Sequence, residues 1–209
     1  MPRRCYCFRG IFLCDNSNAR TGIVPRSTDQ YLLVPNEPMC PSYLRIRLPL
    51  AEALKRFADW IALPALGPPQ KTAWNKVNDL ACKDGDWRCN VVLFIYESGD
   101  WTAFEDRSGY LSTFTSDKWL KLAGRDELVF AGYNDSNPSG HLIVIQQGQI
   151  VREFLDNTAS PQSPVNRGRL GFEGDNPIND WIGAASFVDD DEIVISPDYG
   201  LLWMFGERG

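Results

Sequence analysis

The sequence predicts an α+β protein: a mainly antiparallel sheet with helices packed on one side, preceded by a helical and irregular N-terminal extension. Three features carry this expectation. Apolar strand-forming runs separated by tight-turn residues crowd the second half of the chain. One stretch near 49–62 repeats its apolar residues at helical spacing. The 209 residues are 44 % hydrophobic, with seven Trp and eleven Phe, which suits one core of ordinary size. The expected division is an extension with two helices over 1–90 and an α+β core over 91–209.

The first 45 residues are irregular in pattern, punctuated by Pro25, Pro35, Pro38 and Pro41, with one short strand expected at Tyr31–Val34. Leu50, Leu54, Phe57 and Ile61 then form a single stripe, and Pro49 suits the start of that helix. Pro64 and the Gly-Pro-Pro at 67–69 end it, because proline cannot donate to the helix ladder. A second helix is expected over 70–81, with Trp74, Val77 and Leu80/Ala81 inward. From residue 90 the character changes. Val91–Tyr96 and Trp101–Asp106, joined by Ser98-Gly99-Asp100, form a hairpin. A short helix opens at Thr115-Ser116-Asp117, places Trp119, Leu120 and Leu122 inward, and ends at Gly124. Strands over 127–133, 141–147 and 150–155 follow, the last two joined by Gly148-Gln149. Residues 156–175 form a polar loop. Pro177 begins a helix with Asn176 as its cap, and strands at 192–195 and 201–205 close the chain.

Charge divides unevenly along the chain. Residues 1–76 hold 11 Lys and Arg against 5 Asp and Glu, whereas 77–209 hold 10 against 22. An acidic C-terminal part repels nucleic acid and attracts a basic protein, with a faster encounter through long-range attraction. The N-terminal arginines 3, 4, 9, 20 and 26 offer phosphate contacts, but few aromatics accompany them in an acidic chain, so no nucleic-acid partner is expected. No apolar run approaches a membrane span, and the start MPRRCYCFRGIFLC is not a leader in pattern, so a cytosolic protein without a membrane partner is expected. In that compartment the six cysteines are reduced. Cys5-x-Cys7 with Cys14 is a poor start for a zinc site, because the only histidine is at 141. A Cys82–Cys89 bridge around KDGDWR stays open.

The lone His141 excludes multi-histidine metal motifs and reads as a residue opening a strand. Gly-x-Ser-x-Gly, Gly-x4-Gly-Lys-Ser/Thr and Gly-x-Gly-x-x-Gly are absent. The most enzyme-like string is FVDDDEIVI over 187–195, where Asp189–Glu192 offer hard oxygen ligands to a divalent cation. An acidic turn between helix and strand is the preferred reading of that string, because no second ligand cluster accompanies it. No cofactor is expected.

Four strings resemble a family of bacterial immunity proteins encoded beside interbacterial toxins, including those of type VI secretion: WTAFEDRSGYLS, WLKLAGRDELVFAGYND, GQIVREFLDN and WIGAASFVDDD. They span a little over half the chain and leave 1–90 unmatched. The resemblance implies a non-enzymatic protein that binds a cognate effector toxin in the cytosol and occludes its active site, possible nuclease effectors among them. An interface of that kind needs aromatic anchors and a polar rim. The candidate anchors are Trp101, Tyr110 and Tyr133. The candidate charges are Asp100, Glu105, Asp106, Asp135, Asp189, Asp190, Asp191 and Glu192. Two alternatives stand beside this reading: a metal-dependent enzyme using Asp189–Glu192, and a homodimerising adaptor built on residues 1–90.

Overall fold

A computed structural model describes residues 5–8, 11–14, 42–83, 86–135, 137–157, 164–190 and 197–206. Strands β1 (Cys5–Phe8) and β2 (Ile11–Cys14) form a separate hairpin. Strand β3 (Ser42–Ile46) leads into helix α1 (Leu50–Ile61). Strand β4 (Gln70–Ala73), a 3-10 turn at Trp74–Lys76 and helix α2 (Val77–Ala81) follow. A small pair, β5 (Cys82–Lys83) and β6 (Asp86–Trp87), precedes the long strands β7 (Val91–Ser98) and β8 (Trp101–Asp106). A 3-10 turn at Tyr110–Thr113 connects to helix α3 (Ser116–Ala123). Strands β9 (Leu128–Asn134), β10 (Ser139–Gln146), β11 (Gln149–Asn157) and β12 (Val165–Gly168) come next, then helix α4 (Trp181–Asp190) and strand β13 (Tyr199–Phe205).

Nine strands make one sheet in the order β12-β11-β10-β9-β3-β8-β7-β13-β4, and every pairing in it is antiparallel. The α+β class is therefore as the sequence predicts. The helices, however, cover both faces. Alternate residues of a strand point to opposite sides, so a sheet apolar on both sides needs cover on both. Phe57 and Ile61 of α1 and Trp119 and Leu122 of α3 pack on one face with Leu44, Phe104, Phe130 and Ile143. On the other, Ala184 and Val188 of α4 pack with Ala131, Leu142 and Val144, and Val77 and Ala81 of α2 pack with Val92, Phe94 and Leu202.

The boundary expected near residue 90 does not divide the fold. Strand β3, from the stretch read as an extension, pairs with β8 on one side and β9 on the other, in the middle of the sheet. Strand β4, from the same stretch, is an edge strand on β13.

Several elements match their sequence reading closely. In α1, Ala53, Phe57 and Ile61 are buried, and Ala62 ends the helix in a left-handed conformation. The β7–β8 hairpin turns at Gly99, whose φ of 59° suits a residue without a Cβ. The β10–β11 turn sits one residue earlier than expected: Gln147 and Gly148 are both left-handed, and Gln146 pairs with Gln149.

Other elements differ. Residues 70–73 are strand, not helix. Pro68 and Pro69 favour extended backbone, and the pairing with β13 supplies the hydrogen bonds. The helix is thereby reduced to Val77–Ala81. The polar loop at 156–175 contains β12 and a 3-10 turn at Gly171–Glu173. Helix α4 begins at Trp181, four residues after Pro177, because Asp180 rather than Asn176 caps it: its Oδ1 accepts from the Gly183 N–H at 2.8 Å. The strands expected at 31–34 and 192–195 lie outside the described residues. Among the described residues, no helix is long and apolar enough to cross a membrane. Cys82 and Cys89 are both free thiols, and burial pushes the Cys89 thiol pKa up.

Candidate functional site

The structure scatters the residues nominated from the sequence. Asp100 and Trp101 lie at the start of β8, where exposed Asp100 faces Arg47 at 3.3 Å. Asp106 ends the same strand and shares a row with Ser42 of β3 and Gly132 of β9, so Tyr133 and Asp135 lie at the opposite end of the sheet from Trp101. Six strand residues separate these ends by roughly 17 Å. Tyr133 is half-buried against the α4 side of the core, and Asp135 is exposed. Tyr110 belongs to a third place, with its ring edge-on to Phe114, which meets Trp60 in the same way. The Lys118 ammonium lies 3.5 Å from the Phe114 ring centroid, and burial lowers its pKa. Asp189 and Asp190 are the last residues of α4, with side chains outside the description, as are Asp191 and Glu192 altogether.

Glu105 and Asp106, nominated as surface charges, are instead buried, at 1 % and 0 % exposure. Each is occupied by its own surroundings. Asp106 accepts from the backbone N–H groups of Ser108, Gly109 and Leu111 and from the hydroxyls of Ser108 and Ser42. It thus ties the end of β8 to the following turn and to β3. Burial pushes its pKa up to about 6, against the pull of those donors. Glu105 is held by the buried guanidinium of Arg107 and by the indole N–H of Trp74 at 3.1 Å.

A second buried polar centre fixes the far side of the sheet. Arg152 of β11 donates to both carboxylate oxygens of Glu173, to the Asn166 side chain and to the Ile178 carbonyl. Glu173 also accepts from the Leu170 and Ile178 N–H groups. Burial raises its pKa, but these donors and Arg152 outweigh burial and hold the carboxyl below its usual value. On the opposite face Glu153 accepts from Ser116 and Arg167. His141 lies nearby, edge-on to Phe130. Burial drives its pKa down to about 4, against the Glu153 charge and a hydrogen bond to the Ser112 carbonyl, so the ring is neutral.

An accessible concavity lies elsewhere. A cleft of about 440 Å³ opens where the β4–β13 edge pair ends, lined by Ala73, Trp74, Asn75, Pro197, Asp198 and Tyr199. Local structure builds it. Tyr199 pairs with Ala73 across the two strands, and the Trp74 N–H donates to the Asp198 carbonyl at 2.9 Å, which joins the 3-10 turn to the segment entering β13. Glu105 fixes the Trp74 indole, and the Arg107 guanidinium lies 5.0 Å from its ring centroid. Tyr199 is 63 % exposed. Lys71 approaches its ring at 5.9 Å. Among the described residues, the Asp198 carboxylate and the Asn75 amide have no hydrogen-bond or ion-pair partner. The wall is aromatic and the rim carries one carboxylate and one amide.

The sequence reading missed this cleft. It placed Trp74 inward on a helix and left 196–200 as the connection between the two closing strands. The usable signal was Pro-Asp-Tyr-Gly, a turn carrying a large ring. Nothing local shows that this turn meets Trp74, because the strand pairing that joins them spans more than a hundred residues. Among the described residues no group of three or more His, Cys, Asp or Glu is placed to hold a metal ion. No family model, curated protein or solved structure matches the chain.

Proposed function

We propose that this is a cytosolic immunity protein, which binds a cognate antibacterial toxin and neutralises it by occluding the toxin's active site. The observation that carries the reading is the Trp74–Tyr199 cleft: an accessible aromatic wall whose rim carries a carboxylate and an amide without a partner among the described residues. Exposed aromatic rings beside satisfiable polar groups are the chemistry of protein recognition. Glu105, Asp106 and Glu173 are each held by several donors, so they are tied to architecture rather than poised for proton transfer. The resemblance of the four strings to toxin-associated immunity proteins supplies the class of partner. The acidic balance of residues 77–209 suits a toxin with a basic face, such as a nuclease.

The test is co-expression of the full chain with the toxin encoded beside it, together with calorimetry on the purified pair. Restored growth and a stable complex are expected. If the toxin kills cells equally well with and without this protein, and no complex forms, the immunity reading is wrong.

A further inference from the structure

We infer that the Trp74–Tyr199 cleft is a pocket for one arginine side chain of a partner protein. This rests on the protein-binding reading above and names what that surface takes. Three observations point to a guanidinium. The cleft has two aromatic walls, Trp74 and Tyr199, and cations bind over such faces. Both rings already take cations from their own chain: Arg107 is 5.0 Å from the Trp74 centroid and Lys71 is 5.9 Å from that of Tyr199. Neither cation is among the residues lining the cleft, so both approach from outside it. The rim then adds what a guanidinium needs beyond a ring face. The Asp198 carboxylate can accept charge-assisted hydrogen bonds, and the Asn75 amide oxygen can accept another, both without a competing partner among the described residues.

The surrounding charges leave Asp198 as the one to answer. Arg107 is neutralised by Glu105, and Lys76 pairs with Asp79 at 3.2 Å. Lys71 has no carboxylate partner among the described residues and is the one cation that opposes a guest of the same sign. Arginine fits better than lysine. Its planar fork stacks on a ring and still directs N–H groups outward to a carboxylate, whereas an ammonium is compact and strongly hydrated. A proline-bearing segment would use the rings alone and leave Asp198 and Asn75 without a role.

The experiment uses the full chain and N-acetyl-arginine methylamide as probe, followed by NMR on the indole N–H of Trp74. Saturable shifts in the millimolar range are expected, as suits a single side chain. The isosteric citrulline derivative, which lacks the charge, should bind at least about fivefold more weakly. Asp198→Asn should weaken the arginine probe by a similar factor, and Lys71→Ala should tighten it. Both sites are exposed, so folding is not at risk. Equal binding of the citrulline derivative, no change with Asp198→Asn, or tighter binding of a proline-rich peptide at Trp74 would each overturn the proposal. A toxin complex unaffected by Asp198→Asn and Tyr199→Ala would also overturn it while leaving the immunity reading intact. Arginine binding that responds to both variants upholds the pocket even where no toxin complex forms.

Discussion

The carboxylates of Asp106 and Glu173 differ from that of Asp198 in one respect that decides their roles. The first two lie inside the fold, each held by backbone N–H groups and by side chains of distant elements. Asp198 is exposed at the rim of a cleft and has no described partner. A buried charge must be satisfied at all times, so its donors come from the chain itself and it becomes part of the architecture. An exposed charge is solvated by water and can exchange that water for a ligand. Acidic residues that look alike in the sequence therefore divide into those that hold the molecule and those available to a partner. The division can be tested from both sides.

The largest effect belongs to the Arg152–Glu173 centre. Arg152→Ala leaves the Glu173 carboxylate buried beside apolar neighbours, with only two backbone donors remaining. A loss of about 3–5 kcal/mol is expected in urea denaturation, as for other buried pairs broken on one side. Cutting both charges together, as in Arg152→Met with Glu173→Gln, should cost less than Arg152→Ala alone. If the double variant is the less stable of the two, an unpaired buried Glu173 carboxylate is not what makes Arg152→Ala costly.

Next comes the dependence on pH, where two buried groups oppose each other. The folded-state pKa of His141 is lowered to about 4, so the unfolded chain takes up a proton first and stability falls as pH drops from about 6.5 towards 4. Taken alone, this amounts to roughly 3 kcal/mol. The folded-state pKa of Asp106 is raised to about 6, so the folded chain takes up the proton first and stability rises as pH drops from about 6 towards 4. The wild type should therefore show a shallow profile in that window. Asp106→Asn should expose the full acid loss, and His141→Gln should reverse its sign. Parallel profiles for wild type and both variants would show that neither group titrates as its burial dictates.

Glu105 links the two regions, since it is buried yet holds the Trp74 wall of the cleft. Glu105→Gln keeps an acceptor for the indole but removes the charge that faces Arg107. A loss of about 1–3 kcal/mol is expected, together with a shift of the Trp74 indole resonance. A stability loss with no change at Trp74 would show that the indole is placed by its packing instead.

What the sequence makes legible follows the same division. Helix α1 and the β7–β8 and β10–β11 hairpins are set by local spacing and turn residues, and these were readable. Strand β3 was not, because Ser-Tyr-Leu-Arg-Ile has no clear alternation and gains its strand character from β8 and β9 on either side. Burial of Asp106 had a local sign. Asp-Arg-Ser-Gly is a turn in which an aspartate bonds its own backbone two residues on, and such an aspartate serves its loop before any partner. Burial of Glu105 had only half a local sign: Arg107, its ion-pair partner, stands two residues on, but Trp74 follows the edge strand β4 and is distant in sequence. The four strings behind the family resemblance contain Asp106, Trp119, Arg152 and Ala184, all buried, whereas the cleft residues lie outside them.

The smallest effect on stability is expected where the largest effect on binding is proposed. Asp198→Asn and Asn75→Ala alter exposed side chains that make no described hydrogen bond, and the backbone bond from Trp74 to the Asp198 carbonyl survives both changes. Thermal and urea unfolding should agree with the wild type to within about 0.5 kcal/mol. This near-zero expectation separates the cleft from the buried centres. If Asp198→Asn instead lowers stability by more than about 1 kcal/mol, the carboxylate is holding the turn before β13, as Asp106 holds the turn after β8. Asp198 would then belong with the architecture, and the cleft would lose the charge that recommends it as a recognition site.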